Sequence, residues 1–454
     1  MDYDKTGQSG EVPGQSFPPA DHIKQTAGGD ESGPSGFKRP VDYFKITVFG
    51  FALAAFWAGL HTLIIPVRLL DMVPETQKNT YLGLLTFSGL LVAMAVQPII
   101  GAFSDRTGFR FGRRRPYILL GTILTLVFLP GMGLAASYLV FFGVYLLLQV
   151  SANTAQGPFQ ALICDLVVRE KRGQASGMKN LLEAAGGVIV LYPVGRFLDR
   201  YTTGGGGFWL WLTLGMLALI LLGIMLYTVL AVRERPGMVG ASLEFRSTLR
   251  RSFKVTGADP AFGFFLASRF LILVAFIVMQ RYALFFLRDF IKVDNAVATT
   301  ASLLIVIGIC LLLTAYPAGY LADRVGRRPV VIASGLLGAV AVSALFFSHS
   351  LVPLMVAGGL LGIAFGGFMS ASWALATELA SESQEAKYLG LVNLATAGGG
   401  ALVGLLGLAI DLLNADIPGR GYQIMLLFCL GCFLAGSVLV LKVRPRFSRN
   451  RVTG

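Results

Sequence analysis

Long apolar runs alternate with short polar stretches along almost the whole chain. Twelve of these runs are long enough to cross a bilayer, because a transmembrane helix needs about 20 mostly apolar residues. Several of them contain Gly or Pro, which membrane helices tolerate. The pattern therefore predicts twelve transmembrane helices, near residues 44–69, 80–103, 116–136, 138–164, 176–196, 208–231, 262–287, 296–322, 329–347, 351–379, 388–411 and 422–442.

Lys and Arg are distributed unevenly among the loops between these runs. The loops after the second, fourth, sixth and eighth runs are rich in them, whereas the loops after the odd-numbered runs hold few. An excess of Lys and Arg marks the cytoplasmic side of a membrane protein. Both termini are therefore expected to be cytoplasmic, in a multi-pass protein of the plasma membrane or an inner membrane.

The chain divides where its composition changes. Residues 1–40 are rich in Gly, Ser, Pro, Asp and Gln and are predicted to be a disordered cytoplasmic tail. The rest is predicted to form an N-terminal six-helix half at 41–231, a cytoplasmic linker at 232–260, a C-terminal six-helix half at 261–442 and a basic cytoplasmic tail at 443–454.

Composition agrees with a membrane protein and argues against other classes. The chain is 55% hydrophobic and 14% charged, and a soluble protein of this size could not hide that much apolar surface. The net charge of +13 lies in short loops, so we expect it to direct topology rather than to bind nucleic acid. The sequence shows no phosphate loop, nucleophile constellation or paired carboxylates, and its three His are scattered. Cys429 and Cys432 form a C-x-x-C string inside an apolar run, where we expect two packing residues rather than a redox or metal pair. We therefore expect no enzyme, no cofactor and no metal site.

One charged block occurs twice, about half a chain apart. The first copy is GAFSDRTGFRFGRRRPYIL at 101–119, and the second is GYLADRVGRRPVVIA at 319–333. An Asp at a helix end can accept charge-assisted hydrogen bonds from Arg and from a neighbouring helix N-terminus. Both copies are expected at the cytoplasmic face, where they would hold the two halves together as a gate; the alternative is that the Arg residues only enforce topology. The expected gate residues are Asp105, Arg106, Arg113, Arg114, Asp323, Arg324, Arg327 and Arg328.

These two loops resemble the signature loop of the major facilitator superfamily, G-x-x-x-D-R-x-G-R-R. The second copy fits that form, and the first is stretched between Gly108 and Gly112. REKRGQASG at 169–177 resembles the superfamily's E-x-R-G loop, which adds Glu170 and Arg172 to the expected gate. The resemblance implies an all-α membrane protein with twelve helices in two pseudo-symmetric six-helix halves, working as a monomer.

Two further blocks resemble the sucrose-transporter and glycoside–cation symporter branch of that superfamily. They are GRRRPYILLG at 112–121 and SANTAQGPFQALICDL at 151–166. In the plant-type sucrose–proton symporters an Asp, the proton site, precedes the QGP triplet and an Arg follows it. Aligning that triplet places Gln149 and Gln160 at those positions. Because both the Asp and the Arg are replaced, no buried charge is left without its partner. The replacement also argues against a proton site of the plant-type kind at Gln149.

Polar side chains inside the predicted helices are the candidate solute-binding and coupling residues. A charge at membrane depth costs roughly 2.5–3.5 kcal/mol, so Glu183 and Arg269 are expected to line or flank a central cavity, with Glu183 as a possible proton carrier. The alternative for both residues is a structural inter-helix ion pair or snorkelling. Amides share one face of the fourth helix and suit a hydroxyl-rich solute, or else bond neighbouring helices. Trp57 could stack on a sugar, and the nearby His61 could titrate. The full candidate set is Trp57, His61, Gln149, Asn153, Gln156, Gln160, Glu183, Arg269 and Gln280.

The sequence as a whole favours a secondary active transporter of a small polar solute, a sugar or glycoside. It would work by alternating access, with proton coupling as one option. The expected partners are the solute, protons and the lipid bilayer. A facilitative uniporter and a non-transporting membrane sensor or assembly factor of the same fold are the alternatives.

Overall fold

The computed structural model describes residues 40–106, 109, 111–168, 171–232, 234, 260–348, 350–379 and 385–443. Within these ranges the chain is helical and contains no β-strand. The predicted tails and most of the predicted linker lie outside the described residues.

Twelve helices are long and apolar enough to cross a membrane, as the sequence predicts. We number them α1 to α12 in chain order. They span Val41–Leu70, Glu75–Arg106, Arg115–Leu134, Tyr138–Leu166, Arg172–Gly205, Phe208–Ala231, Pro260–Arg281, Ala296–Val325, Arg327–Phe346, Leu351–Leu379, Glu385–Asp416 and Arg420–Leu441.

The seventh helix ends earlier than its apolar run. The sequence predicts one helix over 262–287, but α7 ends at Arg281 and Tyr282 has non-helical backbone angles, φ −100° and ψ 8°. A short turn at Ala283–Phe285 and a π-helical turn at Phe286–Ile291 follow. Hydropathy continues through the break because the residues on both sides of it are buried, so the pattern alone cannot show it.

The first helix contains a π-helical turn at Leu60–Ile64. A π turn adds one residue to a helical turn and is frequent at functional sites. The segment before it, Phe49–Gly59, is apolar nearly all round, and most of its residues are buried. The extra residue therefore changes the direction of the side chains on a helix that lies in the middle of the protein.

The two halves meet mainly through two helix pairs, α2 with α11 and α5 with α8. We call the end of the bundle with the two repeated blocks the basic end, and the other end the opposite end. At the opposite end Gly83 of α2 lies directly against Gly404 of α11, and Gly407 lies against the backbone of Asn79. Small residues allow membrane helices to approach this closely, so α2 and α11 close the opposite end backbone to backbone.

Candidate functional site

A polar cluster joins α1 to α4 inside the N-terminal half. Trp57 Nε1 donates to Gln156 Oε1 at 3.1 Å, and the Trp57 ring stacks on His61 with a centroid distance of 4.9 Å. His61 Nε2 lies 3.0 Å from the hydroxyl of Tyr145, which accepts a 2.6 Å bond from Gln149 Nε2. The predicted site residues Trp57, His61, Gln149 and Gln156 thus lie in one cluster, in which a ring stack joins two hydrogen-bonded groups.

Asn153 and Gln160, two of the predicted amides of α4, differ in burial and in hydrogen bonding. Asn153 is buried and donates to Gln149 Oε1 at 3.0 Å, and its own Oδ1 accepts a 2.7 Å bond from Gln97 of α2. This is the inter-helix bonding that the sequence left open as an alternative. Gln160 is exposed and has no hydrogen bond recorded among the described residues. Of the four amides on this face of α4, Gln149, Asn153 and Gln156 therefore belong to the cluster, and Gln160 does not.

Tyr145 is the member of the cluster that sequence reasoning missed. It lies one helical turn before Gln149 on the same face of α4, so the spacing of the amides could have pointed to it. The π turn that carries His61 could not have been found in this way, because its single extra residue leaves no mark on an apolar run. Together, the π turn and Tyr145 place the imidazole of His61 and the phenol of Tyr145 within hydrogen-bonding distance of each other in the interior.

Glu183 is not an isolated membrane charge. Its Oε1 lies 2.9 Å from Nζ of Lys179, one turn earlier on α5, and its side chain also touches the position of Gly50 on α1. An i, i+4 pair on one helix stabilises both charges. The sequence analysis did not predict Lys179 as the partner of Glu183, although the two residues are four positions apart. The structure thus shows an ion pair within one helix, which differs from the inter-helix ion pair that was the expected alternative.

Arg269 is almost fully buried and has no carboxylate partner among the described residues. Its Nη1 donates to Ser372 Oγ at 2.5 Å, and its guanidinium lies over the rings of Trp373, at 5.0 Å, and Phe368. Cation–π contacts of this kind stabilise a desolvated guanidinium. Arg269 thus joins α7 to α10 and lies against side chains rather than in open space.

A cavity lies between the two halves. It encloses about 1130 Å³ of empty space, open solvent included, and it is lined by α1, α5, α7, α8, α9 and α10. Ala58, Gly187, Leu304 and Phe365 represent its mostly apolar lining, and Gln280 is the polar side chain on it. Ala58, its lining residue on α1, follows Trp57 in the sequence, whereas Trp57 and the other members of the polar cluster do not line the cavity themselves.

A second polar network, which the sequence analysis did not anticipate, ties the halves together at the opposite end. Asp411 of α11 accepts hydrogen bonds from Thr80 N at 2.6 Å, Thr80 Oγ1 at 2.7 Å and Asn79 Nδ2 at 2.7 Å. Lys78 Nζ lies 2.6 Å from Asp289, beyond α7. Arg288 also pairs with Glu75 at 2.5 Å. The halves are therefore bonded to each other at this end.

At the basic end the first repeated block forms bonds inside its own half. Arg114 is buried, and it pairs with Asp105 at 2.5 Å and with Asp165 of α4 at 2.8 Å. Arg113 also pairs with Asp165, at 2.7 Å. Burial acts to lower the pKa of the Arg113 guanidinium, but the hydrogen bond and charge of Asp165 outweigh burial and raise the pKa. Glu234 accepts hydrogen bonds from the backbone N–H groups of residues 113–115, at the start of α3.

The second repeated block does the same in the other half. Arg327 pairs with Glu378 of α10 at 3.3 Å, and Arg328 donates to the carbonyl oxygen of Leu441. Arg324 stacks on Tyr320, one turn earlier. No bond of these residues to the N-terminal half is recorded among the described residues, so the expected cross-half latch is not formed in this conformation.

The remaining expected gate residues have simpler surroundings. Arg172 donates to the carbonyl oxygens of Cys164, at 2.7 Å, and Val167, within the same half. Arg106 and Asp323 are exposed, and no hydrogen bond or ion pair of theirs is recorded within the described ranges. Glu170 lies outside the described residues. Among the described residues, no three His, Cys, Asp or Glu side chains lie together in a way that could hold a metal ion.

The chain matches one protein family over most of its length and individual relatives over shorter stretches. The family described as MFS/sugar transport protein matches residues 48–410. Sucrose transport protein SUT5 of Oryza sativa subsp. indica is 28% identical over 162 residues, which are 30% of this chain and 29% of that protein. Sucrose transport protein SUC3 of Arabidopsis thaliana is 30% identical over 123 residues, 22% of this chain and 21% of that protein. The matched stretches span less than a third of these relatives.

Solved structures match over nearly the whole chain. The nucleoside transporter NupG superposes with a TM-score of 0.69 at 14% identity, covering 89% of this chain and 100% of that one. The D-xylose-proton symporter gives the same TM-score and identity, over 89% of this chain and 98% of that one. These likenesses confirm the all-α, twelve-helix fold predicted from the sequence.

Proposed function

We propose that this chain, which belongs to the MFS/sugar transport protein family, carries a small polar solute of the sugar class across a membrane. It is an integral, multi-pass membrane protein of a family of transporters, not of enzymes. Sucrose transport proteins are among its relatives, and a D-xylose-proton symporter shares its fold. With the basic end in the cytoplasm, as the distribution of Lys and Arg indicates, the described conformation is closed toward the outside.

The observation that carries this proposal is the polar cluster beside the inter-half cavity. Trp57 presents a ring of the kind that packs on sugar faces, and Gln156 and Gln149 present groups that donate and accept hydrogen bonds. Binding sites of this sort combine an apolar cavity with a few convergent polar groups. The cluster and the cavity share α1, so a solute between the halves could reach both.

We further propose that transport is coupled to protons through His61. Gln149 occupies the position of the proton-site Asp in the plant-type symporters and lies 3.3 Å from His61 Nε2. The Tyr145 hydroxyl, 3.0 Å away, can donate to a neutral imidazole or accept from a protonated one. The charged or titratable groups that face His61 are Tyr145 of α4 and Arg281 of α7. Glu183 is less suited to this role, since Lys179 already neutralises it.

The test is uptake of a panel of neutral and acidic sugars into liposomes that contain the purified protein, with and without an inward-acid pH gradient. We expect the gradient to drive accumulation, and an uncoupler to abolish it. His61→Gln should lose gradient-driven accumulation but keep exchange of solute at equal concentrations. Glu183→Gln is the matched comparison and should keep both.

The contrary outcomes are distinct. Accumulation that ignores the gradient in the unaltered protein would establish a facilitative uniporter. Loss of coupling in Glu183→Gln but not in His61→Gln would return the proton to Glu183. No flux of any sugar would remove the transport proposal altogether.

A further inference from the structure

Arg281, at the end of α7, is a partly buried cation without a carboxylate partner among the described residues. Its Nη1 atom is shielded from solvent and has no hydrogen-bond partner among the described residues. It is the last residue of the helix before the break at Tyr282. The break places its guanidinium between the halves, because the π turn of α1 packs against α7 at this level.

The groups that face Arg281 are all uncharged hydroxyls or an imidazole. His61 of α1, Tyr145 of α4 and the adjacent Tyr282 lie within electrostatic range of its guanidinium. The nearest buried acids are already engaged elsewhere: Asp411 with α2, and Asp289 with Lys78. No carboxylate of the described chain is left to neutralise Arg281.

Arg68 is a buried arginine whose charge is balanced inside the protein. Arg68 pairs with Asp71 at 2.6 Å, bonds the hydroxyl of Tyr201 at 3.1 Å and donates to the carbonyl oxygens of Met132 and Ala135. Its charge is therefore balanced and its N–H groups are used. Arg281 has neither, and a buried charge is costly unless it is paired and hydrogen-bonded.

We propose that Arg281 binds the acidic group of the solute, so that the transported solute is an anionic sugar. This inference rests on the proposed sugar transport. A guanidinium forms paired, charge-assisted hydrogen bonds with a carboxylate or a phosphate. The Trp57 cluster would then bind the ring and the hydroxyl groups, with Arg281 across the interface supplying the charge that a neutral sugar would leave unpaired.

The test is solute-dependent thermal unfolding of the purified protein, with neutral hexoses set against matched hexuronates and hexose 6-phosphates. A ligand that binds only the folded state raises its unfolding temperature. The acidic sugars should raise the unfolding temperature of the unaltered protein, with glucose and galactose giving smaller shifts. Arg281→Gln should weaken binding of the acidic sugar on the order of 10- to 100-fold, the usual range for a hydrogen bond to a charged group. The hexuronate and the phosphate arms separate the two possible acidic groups.

Stability without solute separates binding from structure. Since Arg281 has no partner to strand, Arg281→Gln should unfold at or above the temperature of the unaltered protein when no sugar is present, and Arg281→Lys should keep part of the response to acidic sugars. Arg200→Gln is the matched control, because Arg200 is exposed and stacks on Trp209. This variant should respond to acidic sugars like the unaltered protein.

Three results would overturn the inference. They are equal shifts with neutral and acidic sugars, an undiminished response of Arg281→Gln to the acids, and a large loss of stability in Arg281→Gln without solute. In each of these cases neutral sugars that still bind or move would leave the transport proposal standing. If no sugar of either class binds or moves, both proposals fail together.

Discussion

Adding one methyl group at Gly83 should open the opposite end of the protein. A Cβ at this position would overlap the carbonyl oxygen of Gly404 and lie 3.1 Å from its carbonyl carbon and 3.2 Å from the Tyr282 hydroxyl. Unbonded heavy atoms prefer about 3.5–4.0 Å, so in Gly83→Ala α2 and α11 must separate by about 1 Å or more. The backbone of each helix is the obstacle, and it cannot turn aside as a side chain could.

That separation would break the bonds of Asp411. Its contacts with Thr80 N, Thr80 Oγ1 and Asn79 Nδ2 measure 2.6, 2.7 and 2.7 Å, so an extra ångström takes them beyond hydrogen-bonding distance. Side-chain hydrogen bonds in membrane proteins average about 0.6 kcal/mol each. Losing all of them would cost the closed conformation about 2 kcal/mol, or roughly a 30-fold change in the ratio of closed to open molecules.

The assay is a distance measurement by electron spin resonance between labels on exposed positions at the opposite end, one in each half. Thr202 and Asn295 are suitable sites. Gly83→Ala should transfer population to a longer distance. Gly215→Ala is the matched control, because a Cβ there meets no atom within 4 Å. A distance distribution in Gly83→Ala that matches the control would refute the reasoning.

Two other substitutions test the basic end and the polar cluster. Arg114→Gln should lower the unfolding temperature and cost about 1.5–3 kcal/mol, since a buried guanidinium loses its charge-assisted bonds to Asp105 and Asp165 while Asp165 keeps its pair with Arg113. Arg106→Gln, at an exposed position, should change the unfolding temperature little, and equal effects of the two substitutions would contradict the role of burial. Trp57→Phe should raise KM for the solute about 3- to 10-fold, because the ring is kept but the hydrogen bond to Gln156 is lost; an unchanged KM in the uptake assay would remove Trp57 from the site.

The helices could be predicted from the sequence, and most of the site's partners could not. Apolar runs mark every membrane helix because the bilayer demands about the same length of each. The break at Tyr282 is invisible to that rule, and with it the position of Arg281 between the halves. The amides of α4 were found because they share a face, a property of one helix alone.

Contacts between distant parts of the chain carry no local signal. Asp411 and Thr80 are far apart in sequence, and neither stands out from the loops where apolar runs end. Lys179 lies four residues from Glu183 on the same helix, so this ion pair could have been predicted from the sequence. The repeated blocks predicted two like halves, but only the structure shows that each block bonds within its own half.

Glu234 changes where the first half should be considered to end. The sequence places that boundary at 231, after α6, yet the carboxylate of Glu234 caps the start of α3 through the N–H groups of residues 113–115. Such a cap typically contributes about 1 kcal/mol. Anyone who expresses the halves as separate polypeptides should therefore cut the chain after 234, because a cut at 231 would leave the third helix without its cap.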